Sequence, residues 1–352
     1  MRRTLFIFVS LFVSFAGLAA FNPAHVRALK EKKACNRCDL RDVNLRDMNL
    51  SGLKLSGSSL TGANLKRAVL TNARLERISM NKADLGGANL TGARILRGKM
   101  QYAKAPGVIL RNAIIRSISM QNIDLTKADL RGARLIRCDL NFATLIKANL
   151  RGATLIRSEL GWVKMAGVNL RDARLEKANL RSAEMKGADL RRANLYKANL
   201  KHSNLSNANL EGAYLRHARL GSRPVGNPYR LTYTYLTGAN FNKADLSRTE
   251  MEHVQLNGAV LTSALLVHAD LEGAVLTSAK LQGANLSHAN LHRAKLDKAN
   301  LSSADLSNAN LYGADLRGAR ITGANFKGAN LSGAVWIDGR RCAVGSFGTC
   351  KK

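Results

Sequence analysis

The chain has 352 residues, 55 Lys and Arg against 24 Asp and Glu, a formal net charge of +31, 46% hydrophobic content, 5 Cys, 4 Pro and 5% aromatics. So much apolar content excludes a disordered basic tail, and so few cysteines exclude a disulfide-dense miniprotein. The shortage of aromatics and prolines over this length points away from two or three ordinary globular domains and toward an internal repeat.

Residues 1–20 read as a signal peptide. Arg2 and Arg3 precede an uncharged run from Leu5 to Ala20, and Gly17, Ala19 and Ala20 supply the small residues that cleavage near Ala19 or Ala20 requires. The rival reading is an uncleaved anchor, but this run, interrupted by Ser10, Ser14 and Gly17, falls short of the roughly 20 residues that span a bilayer. Two arginines in a bare leader are too ordinary to signal twin-arginine export. The mature chain is therefore expected to be periplasmic or extracellular.

Residues 21–37 form a basic lead-in, with Cys35 and Cys38 at its junction with a long periodic region. A redox motif would need a βαβ pattern, and a zinc site a second pair, neither of which is present. A structural role, with a Cys35–Cys38 disulfide as one form of it, is the remaining reading.

From Leu40 to Leu220 every fifth residue is Leu, Ile or Met at 36 of 37 positions, the exception being Ala105 beside Pro106. Steps of five draw no stripe along an α-helix, and being odd they alternate faces of a flat strand. Two residues before each site stands Ala at 22 of 37 places, so a small and a large inward residue flank one outward residue in a three-residue strand segment. The other two residues must turn the chain, and glycines such as Gly62, Gly92, Gly132, Gly152 and Gly187 at the second of them permit a positive φ. Corners that bend one way close a coil, and stacked coils pair as parallel sheets. The fold class is all-β, a β-solenoid.

Runs such as Ala188-Asp189-Leu190-Arg191-Arg192, Ala198-Asn199-Leu200-Lys201-His202 and Ala284-Asn285-Leu286-Ser287-His288 resemble the A-(D/N)-L-x-x unit of the pentapeptide-repeat family. The resemblance covers nearly all of residues 38–336 and implies a right-handed quadrilateral β-helix with four pentads per coil. On that geometry, 59 pentads make about 15 coils at roughly 4.8 Å each, a rod on the order of 70 Å long.

Gly221 to Arg230, with Pro224 and Pro228, interrupts the pattern, which is expected to resume at Leu231 and run to Trp336. This divides the solenoid into residues 38–220, a loop at 221–230 and residues 231–336, as one continuous stack with a bulge. Tyr229, Tyr233 and Tyr235 are expected to pack the loop onto the coil. Residues 337–352 carry Cys342 and Cys350, which in an oxidising compartment can close a cap over Trp336. This tail resembles that of some exported members of the family. Cys138, at a small inward position, is expected to be a buried thiol.

With four pentads per coil, residues twenty apart stack in columns. One column reads Arg111, Arg131, Arg151, Arg171, Arg191; a second reads Arg77, Arg97, Ser117, Arg137, Arg157, Lys177, Lys197, His217; a third contains Lys54, Arg74, Arg94, Arg134 and Arg174. All three are expected on one side and its leading corner, with 16 basic residues and one acid, Glu211. Such a face stores repulsion that a polyanion would relieve, and it is the candidate anion-binding face; the bland reading is a splayed, screened set of solubilising side chains. Residues 40–220 carry 33 basic and 13 acidic side chains against 9 and 8 in residues 231–336, which places the feature in the first segment.

Asn49, Asn89, Asp129, Asn149, Asn169, Asp189 and Asn209 form a column expected to be structural, through amides bonded to one another. Tyr102, Asn122, Phe142 and Trp162 form an exposed aromatic column, a candidate docking platform that the outward Ile136 and Ile156 would enlarge. His268 and His288 share a column with no carboxylate, a poor metal site.

No phosphate loop, nucleophile elbow or carboxylate pair with a supporting His is present, so no catalytic residue, cofactor or metal is expected. The expected function is a non-enzymatic exported scaffold whose basic face engages an anionic glycan, lipopolysaccharide, an anionic lipid surface or an acidic protein. Two alternatives are a topoisomerase-modulating DNA mimic, implied by the resemblance to quinolone-resistance members but opposed by basic charge and export, and a nucleic-acid-binding rod. Family members often dimerise end to end, which the cysteine cap would obstruct.

Overall fold

The computed structural model describes residues 22–31, 34–221 and 233–351, so the leader at 1–20 and the loop residues 222–230 lie outside the described residues. The rest forms a right-handed quadrilateral β-helix. Its register is explicit in the bridges, which join residue to residue in parallel at a spacing of twenty, from Asp39 with Ser59 onward.

Most pentads obey one local rule, the corners after Leu75, Ile95, Ile115 and Leu135 being among those that lack its closing bond. The inward residue, for example Leu90, donates its N–H to the coil above (Ile109 O, 2.7 Å), while Asn89 just before it donates to the coil below (Ala68 O, 2.9 Å). The chain then turns, and Ala93 N–H closes the corner on Leu90 O at 3.0 Å. The second corner residue is left-handed throughout, as at Gly92 (φ 67°), but many non-glycine residues take the same conformation. Inward Leu and Ala are buried along the stack, with Ala324 near its C-terminal end only partly so.

The outward Asn and Asp column is structural in a different way from the expected amide ladder. One amide of this column does bond to another, Asn240 to Asn209 (3.2 Å), and the same occurs in a neighbouring column between Asn199 and Asn179 (3.1 Å). The recurring role is local: the side-chain oxygen accepts the N–H two residues on, as Asn149 does from Arg151 and Asn169 from Arg171, which braces the corner.

One side differs from the others. Its segments β1 (Arg74–Glu76), β2 (Arg94–Leu96), β3 (Ile114–Arg116) and β4 (Arg134–Ile136) extend one residue into the corner and form a four-stranded parallel sheet in the order β1-β2-β3-β4. Arg74 pairs with Arg94, Arg94 with Ile114 and Ile114 with Arg134.

Both ends are covered. The lead-in contains a helix that the sequence pattern does not disclose, α1 (Pro23–Lys30), with Asn22 as N-cap accepting from Ala24 N–H and Leu29 buried over the first coil. Asn before Pro at the first helical position is its signature, but eight residues are too short for a periodic pattern. Cys35 and Cys38 are joined beside it, and Ser58 Oγ donates to Cys35 O while accepting from Cys38 N–H. At the other end the tail reverses, pairing Phe347 with Asn330 and Arg341 with Val335 in antiparallel fashion, and Cys342 is joined to Cys350. Trp336 packs edge-on against Phe326 with ring centres 5.5 Å apart. The reversed strand thus satisfies an edge that an open coil would expose.

The break is a matter of eleven added residues. The bridge spacing rises from 20 at Asn199–Arg219 to 31 at Asn204–Tyr235, then returns to 20 at Tyr235–Gln255. Leu236 therefore stacks above Leu205, and among the described residues the ladder resumes at Tyr235 and Leu236; Leu231, where the pattern was expected to resume, lies outside them. Thr234 takes the small inward position, where its hydroxyl donates to Leu220 O (2.5 Å) and accepts from His202 N–H (2.9 Å), stitching the two segments together. Tyr235 is an outward stack residue, 44% exposed, rather than packing for the loop; Tyr229 lies outside the described residues.

Candidate anion-binding edge

The stack of twenty gathers the three basic columns as expected, but on one side and both of its corners. Arg74, Arg94, Arg134 and Arg174 stand on the face, Arg111 to Arg191 along the corner that leads into it, and Arg77 to Lys197 along the corner that leaves it. Their electrostatic states differ, and this divides the candidate face in two.

The leading column is neutralised. Arg131 donates from Nε (2.9 Å) and Nη2 (2.8 Å) to Asp129, which also accepts from Arg111 Nε at 2.5 Å. Arg191 grips Asp189 in the same forked way, and Arg151 and Arg171 lie 3.6 and 3.7 Å from Asp172, whose closest partner is Arg192. Burial pushes the Asp129 carboxyl up, but the hydrogen bonds from Arg131 and Arg111 outweigh it and hold it at about 2. The Arg192 hydrogen bond, with Arg171 and Arg151 nearby, keeps Asp172 low as well, and Arg191 does so for Asp189. These arginines are engaged within the protein. The signal was present in the sequence: Asp-Leu-Arg at 129–131 and 189–191 puts carboxylate and guanidinium two residues apart, bridging a corner.

The face and the trailing corner are free. Among the described residues Arg74, Arg94 and Arg134 on the face and Arg77, Arg97, Arg137, Arg157, Lys177 and Lys197 on the corner form no ion pair, and all are exposed. Arg174 is the exception, paired with Glu176 at 3.0 Å; Glu176 also accepts from Asn194 Nδ2 at 3.1 Å. The apparent gap at Ser117 is filled by Arg116, the last residue of β3, which a strict count by twenties passes over because it sits one position earlier in the same coil. Every coil from Arg77 to Lys197 therefore sets one cation on this edge.

The backbone adds a second observation. Arg77, Arg97, Arg137, Arg157, Lys177 and Lys197 all hold φ between 52° and 58°, and Ser117 holds 53°. Gly fills the equivalent position at other corners, for example Gly92, Gly132 and Gly152. A left-handed non-glycine residue costs roughly 1–2 kcal/mol. The same cost is met on other corners, as at Lys82, Phe142, Lys147 and Trp162, so the edge is set apart by its run of Arg and Lys and not by its backbone.

Shallow depressions run along the edge. One, about 540 Å³, is lined by Arg116, Arg137, Arg157, Arg174 and Lys177 around Ile136 and Ile156, with Glu176. A second, with Arg77, Arg97, Glu76 and Leu96, lies below it. Ile136 and Ile156 thus belong to the basic edge rather than to the aromatic platform, which stands one corner further round. The face between them presents Lys99, Asp139 and Glu159, whose acids accept from Gln121 (2.7 Å) and Asn179 (2.7 Å).

On that further corner Phe142 and Trp162 stack with centres 5.3 Å apart and planes 12° apart, each about half exposed, while Tyr102 stands two coils away beyond Asn122. His268 and His288 also stack (4.9 Å). The 31-residue offset puts them in the column of His217 and Arg248, so they continue the trailing corner beyond the break. Among the described residues no three His, Cys, Asp or Glu converge as metal ligands. Cys138 is buried, and burial pushes its thiol up to about 12, so it stays protonated.

Known proteins give the pattern a context. The family described as pentapeptide repeats matches residues 38–112, 118–221 and 230–333 in overlapping segments. Among solved structures, HetL from the cyanobacterium Nostoc sp. strain PCC 7120, described as involved in heterocyst differentiation regulation, is 34% identical over 65% of this chain and 91% of its own, with a TM-score of 0.26. A pentapeptide repeat protein of the Arabidopsis thaliana thylakoid lumen is 34% identical over 27% of this chain and 66% of its own (TM-score 0.26). Rfr23 from the cyanobacterium Cyanothece 51142 is 32% identical over 38% of this chain and 90% of its own (TM-score 0.23). Among curated protein sequences none matches.

Proposed function

The chain belongs to the pentapeptide-repeat family, whose members are repeat scaffolds, and from that premise we propose that it is an exported, non-enzymatic interaction protein that holds an anionic partner against one edge of its rod. The observation that carries this reading is the row of cations without ion pairs among the described residues, one in every coil from Arg77 through Arg116 to Lys197. The apolar leader and the Cys35–Cys38 and Cys342–Cys350 bridges support an oxidising compartment outside the cytoplasm. A DNA-mimicking role would call for an acidic surface, and the free charges here have the opposite sign.

Heparin chromatography tests the proposal. The mature rod is expected to be retained at about 50 mM salt and released by about 500 mM, because exposed charges lose their reach as the screening length shrinks. Charge reversal at Arg97, Arg137 and Arg157 should move elution to much lower salt. Passage through the column at low salt would remove the proposal.

A further inference from the structure

Resting on that reading, we propose that the edge is built for one kind of polyanion: an extended linear glycan with one acidic group per sugar, laid parallel to the rod axis. The argument is one of spacing. A parallel ladder sets successive coils about 4.8 Å apart, so the corner cations from Arg77 through Arg116 to Lys197 make a row of seven over about 29 Å, beside which Arg74, Arg94 and Arg134 stand on the face. An extended chain of six-membered sugar rings advances by about one ring and its bridging oxygen per residue, the same scale as one coil. Acidic groups carried once per sugar therefore recur along the chain on the same length scale as the guanidinium and ammonium groups of the row.

Rigidity makes the match meaningful. Strands β1–β4 underlie the row's first half, and every rung is tied to its neighbours by backbone hydrogen bonds such as Arg77 N–H to Leu96 O (2.7 Å) and Arg97 N–H to Arg116 O (3.0 Å). A duplex nucleic acid fits less well, because its phosphates wind around an axis and advance about 3.4 Å per nucleotide on each strand. Single strands are held by stacking bases on aromatic rings. From Arg74 to Lys177 the edge offers no aromatic side chain, and its apolar groups are Leu96, Ile114, Ile136 and Ile156, whose aliphatic surfaces suit the C–H faces of sugars; the aromatic rings begin at its far end, where Lys197 lies over Tyr196 (5.1 Å).

Calorimetry with oligogalacturonates, from the monomer to about ten sugars, tests this on the full mature chain. Affinity should climb with each sugar to about seven and then level off. The Arg97→Glu, Arg137→Glu, Arg157→Glu variant should lose about tenfold or more in affinity for the heptamer. A control with the same net charge, Lys127→Glu, Lys147→Glu, Lys164→Glu on the opposite side of the rod, should stay within about twofold. Replacing the same three arginines by Gly, which suits their backbone, keeps the test open if the Glu variant does not fold. Equal losses in both charge-reversed variants, affinity independent of length, or tighter binding of single- or double-stranded DNA of matched length would each overturn the inference while leaving heparin retention, and so the proposed function, intact. Absence of heparin retention would remove both.

Discussion

The two segments on either side of the break share a backbone and differ in almost everything outside it. In both, Leu or a close equivalent fills the large inward position and Ala the small one, and both use the same coil-to-coil hydrogen bonds. On the side where the first segment presents Arg74, Arg94 and Arg134, the second presents Asp245, Leu265, Asn285 and Asp305. Along the trailing corner the row of Arg and Lys gives way to Arg248, His268, His288 and Asn308. Inward residues specify the solenoid and outward residues specify what it meets, and the fold lets the two vary independently.

If the segments are equivalent inside, equal damage should cost them equally. Leu135→Ala and Leu286→Ala each remove a fully buried side chain and should destabilise by about 2–5 kcal/mol, measured by denaturant melts. A large difference between them would show that the basic side contributes to, or detracts from, the core beneath it. The ends should behave otherwise. Cys342→Ser opens the C-terminal clasp and should cost about 2–3 kcal/mol, with faster amide exchange confined to the last coil and no change near β1–β4.

The corner can be used to separate stability from binding. Arg97→Gly, Arg137→Gly and Arg157→Gly relieve left-handed strain but free the unfolded chain, for a net gain of about 0.5 kcal/mol at each site. Thermal melts should therefore rise while heparin affinity falls further than for Gly replacements at Lys127, Lys147 and Lys164, a difference that a purely solubilising role does not produce. In the leading column the expected effect is smaller and depends on pH. Asp129→Asn should cost about 1 kcal/mol at neutral pH. The folded carboxyl titrates at about 2, below its unfolded value, so its contribution is complete above pH ~4 and lost as pH falls through ~2. The gap in melting temperature between wild type and variant should close over that window.

Much of the molecule was legible in the chain. The five-residue beat at Leu40 to Leu220 dictated short strands with corners, and the resemblance carried by Ala-Asn-Leu units supplied the four sides. Three things were hidden, each for a physical reason. The helix α1 is too short to show a period. The rise in bridge spacing from 20 to 31 across the break depends on which residues regain their pairing in space, which a fivefold beat along the chain does not fix. The state of each arginine depends on neighbours in other columns, so columns taken singly count Arg111, Arg131 and Arg191 as free when Asp129 and Asp189 hold them, and leave a gap at Ser117 that Arg116 closes.

Periodicity in one dimension was enough to settle which side chains point inward, because a residue's place in the pentad alternates with the pleat and needs no distant partner to define it. Which cations stand unpaired was settled in three dimensions, because a charge is neutralised by whatever lies within a few ångströms, and on a coiled chain those neighbours come from two residues away, from eighteen and from twenty at once.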